Sequence, residues 1–158
     1  MNDSRQFLRH TLATLAYRGG KAVRGAPDAF ADFKPAPGSR TPAQVLAHVG
    51  DLMDWTLQLC RGEQTWHEAA PLPWADEVAR FHRTLADVDA VLATDAPLGT
   101  PVERLFQGPI ADALTHVGQL TMLRRMFGAP VKGENCSKAE IVAGRLGAEQ
   151  SAPRREFD

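Results

Sequence analysis

Thr41-Pro42-Ala43-Gln44-Val45-Leu46-Ala47-His48-Val49-Gly50-Asp51-Leu52-Met53-Asp54-Trp55-Thr56-Leu57-Gln58-Leu59-Cys60 is the stretch on which the fold class turns. Thr41 followed by Pro42 is a strong helix start, with a hydroxyl at the N-cap and a proline whose missing N–H costs nothing in the first turn. From there Val45, Val49, Leu52, Thr56 and Leu59 recur by three and four, the spacing that lines one face of a helix. Gly62 closes the segment. One amphipathic helix over about 41–61 needs partners to cover its apolar face.

Moving outward, the same period appears three more times. Before this segment, Phe7, Leu8, Thr11, Leu12 and Leu15 predict a helix over about 4–24, capped by Ser4 and weakened but not stopped by Gly19-Gly20. After it, Val78, Phe81, Leu85, Val88 and Leu92 predict a third helix over about 74–94, with Asp76, Glu77, Arg80, Arg83 and Asp87 on its flanks. Gly108-Pro109 opens a fourth over about 109–127, in which Ile110, Ala113, Leu114, Val117, Leu120 and Leu123 form the buried face and Gly128 ends the run. Prolines and glycines mark 25–40 and 62–73 as connections. Ser137-Lys138-Ala139-Glu140 fits a capping box and predicts a short fifth helix to about Leu146. Residues 147–158 read as a loose polar tail after a domain spanning 1–146. No strand alternation competes, so the expected fold is all-α, a four-helix bundle.

Composition narrows the function. The chain has 158 residues, 44% hydrophobic and 23% charged, which suits one globular domain. A net charge of −1, with Lys and Arg scattered, gives no footprint for nucleic acid or anionic lipid. Cys60 and Cys136 lack the spacing of a zinc knuckle or a redox dithiol. The chain shows no signal-peptide run and no stretch of about 18 apolar residues, so a cytoplasmic location is expected. Catalytic Ser-His-Asp order, a phosphate-cradling glycine loop and paired Glu-x-x-His di-iron spacing are not present in the sequence.

What chemistry remains lies on two helices. Asp112 and His116 are four apart and project from one face of the fourth helix. His48 sits at the edge of the apolar stripe of the second. Together they offer two imidazoles and a carboxylate to a divalent ion, a donor set suited to Fe, Zn, Ni or Mn. Taken by themselves, these residues fit plainer roles equally well: His48 as a hydrogen-bonded core histidine, and Asp112 as an acid favoured by the helix dipole.

The segments around these residues resemble the DinB-like family. Residues Thr41 to Trp55 resemble its second helix, whose first metal histidine falls at His48. Asp112-Ala-Leu-Thr-His116-Val-Gly-Gln119-Leu, with Arg125 and Gly128 following, resembles its fourth helix, where relatives carry His-x-x-x-His, then Gly-Gln-Leu and Arg-x-x-Gly. Trp74 to Leu92, with Glu77 and Phe81, resembles the third. The likeness covers about residues 4–131, and Asp112 departs from the histidine of many relatives.

The resemblance implies a bundle with a long crossover connection and a metal centre formed by His48, Asp112 and His116. It also implies a metal-dependent activity like that of thiol-dependent S-transferases and metal-dependent hydrolases. The expected partners are a small-molecule substrate, a low-molecular-weight thiol among them, and a second copy of the chain as a homodimer. A non-catalytic metal-binding or protein-interaction module is the alternative. Asp51 is placed either to orient an imidazole or as a solvated or capping acid, Gln119 either to bond a water on the ion or to bridge helices, and Tyr17 and Trp55 either to line a pocket or to pack in the core. His10, His67 and His82 read as bystanders.

Overall fold

The computed structural model describes residues 3–157. Four long helices dominate it: α1 (Asp3–Val23), α2 (Pro42–Cys60), α3 (Trp74–Leu92) and, after a single turn α4 (Val102–Leu105), α5 (Ala111–Met126). The stripes read from the sequence form the core: Leu8, Leu12 and Leu15 of α1, Val45, Val49 and Leu52 of α2, Phe81, Leu85 and Val88 of α3, and Val117 and Leu120 of α5 are all buried. Burying each such side chain contributes roughly 1.5–3 kcal/mol. Phe7 departs from its stripe and is 63% exposed. Ser4 lies inside α1, which has already begun at Asp3, so it is not the expected N-cap.

Long-range contacts set the directions. Arg9 of α1 pairs with Asp89 of α3 at 2.9 Å, and Gly19 lies against Phe81, so α1 and α3 are antiparallel. Arg80 donates to the Ala47 carbonyl of α2, and Gly62 meets Gly99 beyond the far ends, so α2 and α3 run parallel. Arg124 of α5 donates to the carbonyls of Ala22 and Arg24 at the end of α1, whereas the start of α1 lines a groove with Val102 and Phe106. The order is therefore up, down, down, up. Parallel neighbours cannot be joined by a short loop. Residues 61–73 must return the length of α2, and they can reach about 43 Å against the roughly 28 Å of a 19-residue helix. This is the crossover.

Local chemistry fixes the helix ends. Thr41 Oγ1 accepts from the Gln44 N–H at 3.2 Å while Gln44 Oε1 accepts from the Thr41 N–H at 2.8 Å, a reciprocal capping box. Gln44 was the unread half of that signal. Gly62 and Gly128 end α2 and α5 in the left-handed conformation, at φ +82° and +87°. The fourth helical segment starts earlier than expected. The chain is helical from Val102, bends at Gly108 (φ −92°, ψ −105°), and passes through a widened turn over Phe106–Ile110. Pro109 has no N–H to give and its ring crowds the preceding turn, so the helix widens there instead of starting there.

Two glycines inside helices permit close approach. A Cβ on Gly19 would stand 2.5 Å from Phe81 Cζ, and one on Gly50 would stand 2.8 Å from Arg80 Nη1. The pair Gly19-Gly20 is thus a packing feature of α1, not a weakness in it.

The C-terminal region differs most from expectation. In place of a fifth helix over 137–146 there is a single turn, Cys136–Lys138, with Asn135 Oδ1 accepting from the Ser137 N–H. Glu140 pairs with Arg154 and Arg145 instead of capping, and Ala139 is already extended. A turn this short cannot offset its nucleation cost without a packed face. Nor is the tail loose. Strand β2 (Glu156–Phe157) pairs antiparallel with β1 (Gly133–Glu134), with Gly133 opposite Phe157. Lys21 holds Glu134 at 2.8 Å and Glu156 at 2.7 Å. Among the described residues no helix is long and apolar enough to cross a membrane.

Candidate metal centre

His48 stands on α2 one turn after the capping box, and Asp112 and His116 stand on the first turns of α5. Because α2 and α5 are antiparallel neighbours, the three side chains meet. Each offers a ligand atom within 4.8 Å of the other two. His48 Nε2 lies 3.5 Å from Asp112 Oδ2, and the two imidazole rings lie 4.6 Å apart, centre to centre. Around an ion with bonds near 2.1 Å, ligand atoms sit about 3–3.6 Å from one another. One pair is already at that spacing. The Asp112 side chain, at 45% exposure, has room to turn.

The imidazoles are held in useful states. His116 Nδ1 lies 2.8 Å from the Asp112 carbonyl oxygen and 3.2 Å from its Oδ1. A proton on Nδ1 satisfies both contacts and leaves the Nε2 lone pair for a ligand. His48 is pushed to a lower pKa, first by burial, then by His116 and Arg40, with Asp112 partly opposing. It is therefore neutral near pH 7, the form that ligates metal. The donor set, its convergence and its protonation all fit a divalent ion.

The crossover supplies one wall. Trp66 packs edge-on to His48 at 5.6 Å and to Trp55 at 5.8 Å. Ala69 donates its N–H to Asp51 Oδ2 at 3.1 Å. Beside Ala69 lies a recess of about 120 Å³ lined by Arg40, Gln44, His48 and Glu68, among others.

Beside the cluster is an ionic network centred on Arg80. Its Nη2 lies 2.6 Å from both Asp51 Oδ1 and Asp54 Oδ2, and its Nη1 lies 3.3 Å from Glu77 Oε1. Glu77, fully buried, also accepts from the Leu72 N–H at 2.9 Å. Burial works against the guanidinium charge, but Asp51 and Asp54 outweigh it and hold the pKa above its ordinary value. Glu77 and Arg80 are thus core groups and not solvated flanks of α3.

The remaining expected site residues divide. Trp55 reaches the cluster through Trp66. Asp51 lines the recess with His48, and the bonds its oxygens make among the described residues are to Arg80 and the Ala69 N–H. Gln119 is exposed and lines a neighbouring groove with Arg40 and Met122. Tyr17 lines a separate cavity with Leu114 and Val117, donating its hydroxyl to Glu134 Oε1 at 2.6 Å. His82 is no bystander: it is buried, with Nδ1 2.7 Å from the Leu146 carbonyl oxygen. Trp66 and Arg40 were not expected at the site, and Arg80 was expected on a flank of α3. Arg80 falls one place before Phe81 on the buried stripe, and that phase was its only signal. Trp66 lies in an aperiodic connection and had none.

No curated protein and no solved structure matches the chain. Over residues 18–124 it matches the family described as the DinB superfamily. That span holds α2, α3 and α4 whole, the end of α1 and all of α5 but its last two residues, and with them His48, Asp112 and His116. The chain belongs to the DinB superfamily.

Proposed function

We propose that the protein is a divalent-metal-dependent enzyme, with His48, Asp112 and His116 as ligands, that readies a small thiol or water for attack on a small electrophile, as a transferase or hydrolase does. The observation that carries this reading is the convergence of the three ligand atoms within 4.8 Å. Membership of the DinB superfamily supports it. Three protein ligands leave coordination positions open, and two imidazoles with one carboxylate accept Zn, Ni, Fe or Mn. Bound there, such an ion lowers the pKa of a water or thiol so that the nucleophile exists at neutral pH. The protein's own groups prepare the site. Asp112 fixes the His116 tautomer through its carbonyl, burial keeps His48 neutral, and Trp66 shields the His48 ring. The exposed side of Asp112 is the open side, by which substrate enters and a released proton reaches water.

A thermal melt with and without Zn(II), Ni(II) or Mn(II) tests the ligands. An ion that binds only the folded chain stabilises it by about 2.7 kcal/mol at a hundredfold excess over Kd. Wild type is expected to show the rise, and His48→Ala and His116→Ala to lose it. Asp112→His is expected to keep binding with a changed metal preference. An equal rise in His48→Ala places the ion elsewhere and overturns the assignment. Turnover of a thiol and an electrophile that stops on chelation marks the enzyme. Metal binding without turnover marks a non-catalytic module.

A further inference from the structure

Arg40 immediately precedes the cap of α2 and stands where two cavities meet. It lines the recess of about 120 Å³ with His48, Gln44 and Glu68. It also lines an apolar groove of about 290 Å³ with Pro35, Val45, Met122 and Leu123. Among the described residues no hydrogen bond or ion pair holds its guanidinium, whereas Arg80, the next cation, is committed to Asp51 and Asp54. At the recess Arg40 is the cation that no acid holds among the described residues. A divalent ion with one carboxylate and two neutral imidazoles carries a net positive charge. Arg80 is committed to Asp51, Asp54 and Glu77, and Glu68 lies on the same rim as Arg40 without a bond to it. A guanidinium free of partners, beside an open positive centre, presents the forked donors that carboxylates accept in pairs.

We propose that Arg40 is a recognition residue that receives an anionic group, a carboxylate, on the substrate whose reacting end lies at the His48–Asp112–His116 cluster. The inference rests on the metal-centre reading, and its test separates the two. Full-length protein loaded with Co(II) is titrated with 3-mercaptopropionate and with its methyl ester, and the thiolate-to-cobalt absorption band gives each affinity. A charge pair at an exposed guanidinium is worth about two- to fivefold in affinity. Wild type is expected to prefer the carboxylate by about that factor. Arg40→Gln should bring the two thiols to parity, Arg40→Lys should keep part of the preference, and Glu68→Gln should widen it. Arg40 and Glu68 are exposed, so these variants leave the core intact. If Co(II) fails to bind, or binds His48→Ala equally, the metal-centre reading fails and this inference falls with it. If Co(II) binds but Arg40→Gln keeps the full preference, the centre stands and the role of Arg40 is refuted. Equal binding of both thiols by wild type, or binding of neither, also refutes it.

Discussion

Arg80 shows how one side chain ties the fold to the candidate site. Its guanidinium passes over Gly50, where a Cβ would leave no space, and reaches Asp51, which is almost fully buried. Arg80→Ala would leave the Asp51 carboxylate unpaired, a loss of about 3–5 kcal/mol by chemical denaturation; a loss below 1 kcal/mol would contradict the network. At His82 the effect is on pH. Its pKa is lowered, chiefly by burial, so the unfolded chain takes up the proton more readily than the folded one. Its contribution to stability is complete above about pH 6.5 and declines as pH falls from there. His48, also lowered, acts in the same direction, so His82→Gln should flatten the acid side of a Tm–pH curve without abolishing its slope. Neither role was legible in advance. His82 sits among polar residues, and its partner is a backbone carbonyl 64 positions away that no local pattern points to. Asp112 and His116 were legible as a pair from helical spacing, and the family likeness added His48 to them.

Among elements, the helices and the connections carried different amounts of information. Periodic stripes located all four long helices, since burial of one face repeats in the sequence. The crossover has no such repeat: residues 61–73 are exposed throughout, so nothing in their composition said that Trp66 would cover His48 or that Ala69 would hold Asp51. Trp66→Ala is expected to weaken metal binding by less than about tenfold, measured by calorimetry, because it removes a ring contact and not a ligand. Its melting temperature without metal should barely move. A large loss of stability instead would make the crossover a core element. The fifth helix failed for a related reason. A capping box is a local signal, and over 137–146 it had no apolar face of sufficient length behind it.

Across the whole molecule, the C-terminal region and the metal cluster lie on different faces. Tyr17, Lys21, Glu134 and Glu156 tie the last strand to α1, while the cluster lies between α2 and α5. Deleting 147–158 removes a two-residue strand pairing and two partly exposed ion pairs, Lys21–Glu156 and Arg154–Glu140, so the expected loss is no more than about 2 kcal/mol. The Co(II) spectrum should be unchanged. A shifted spectrum would show that the two faces communicate. The parallel run of α2 and α3 has a different consequence. The crossover is fastened to the bundle at Trp66, Ala69 and Leu72, and α2 and α3 each keep their own antiparallel neighbours. A protease nick between Glu63 and Gln64 therefore yields two fragments that stay together, one ending just past α2 and the other still carrying the Trp66 wall. Expressed as separate polypeptides, 1–63 and 64–158 are expected to reassemble into a complementing pair, with His48 delivered by one and Asp112 and His116 by the other, so that a bound ion would act as the rivet between them.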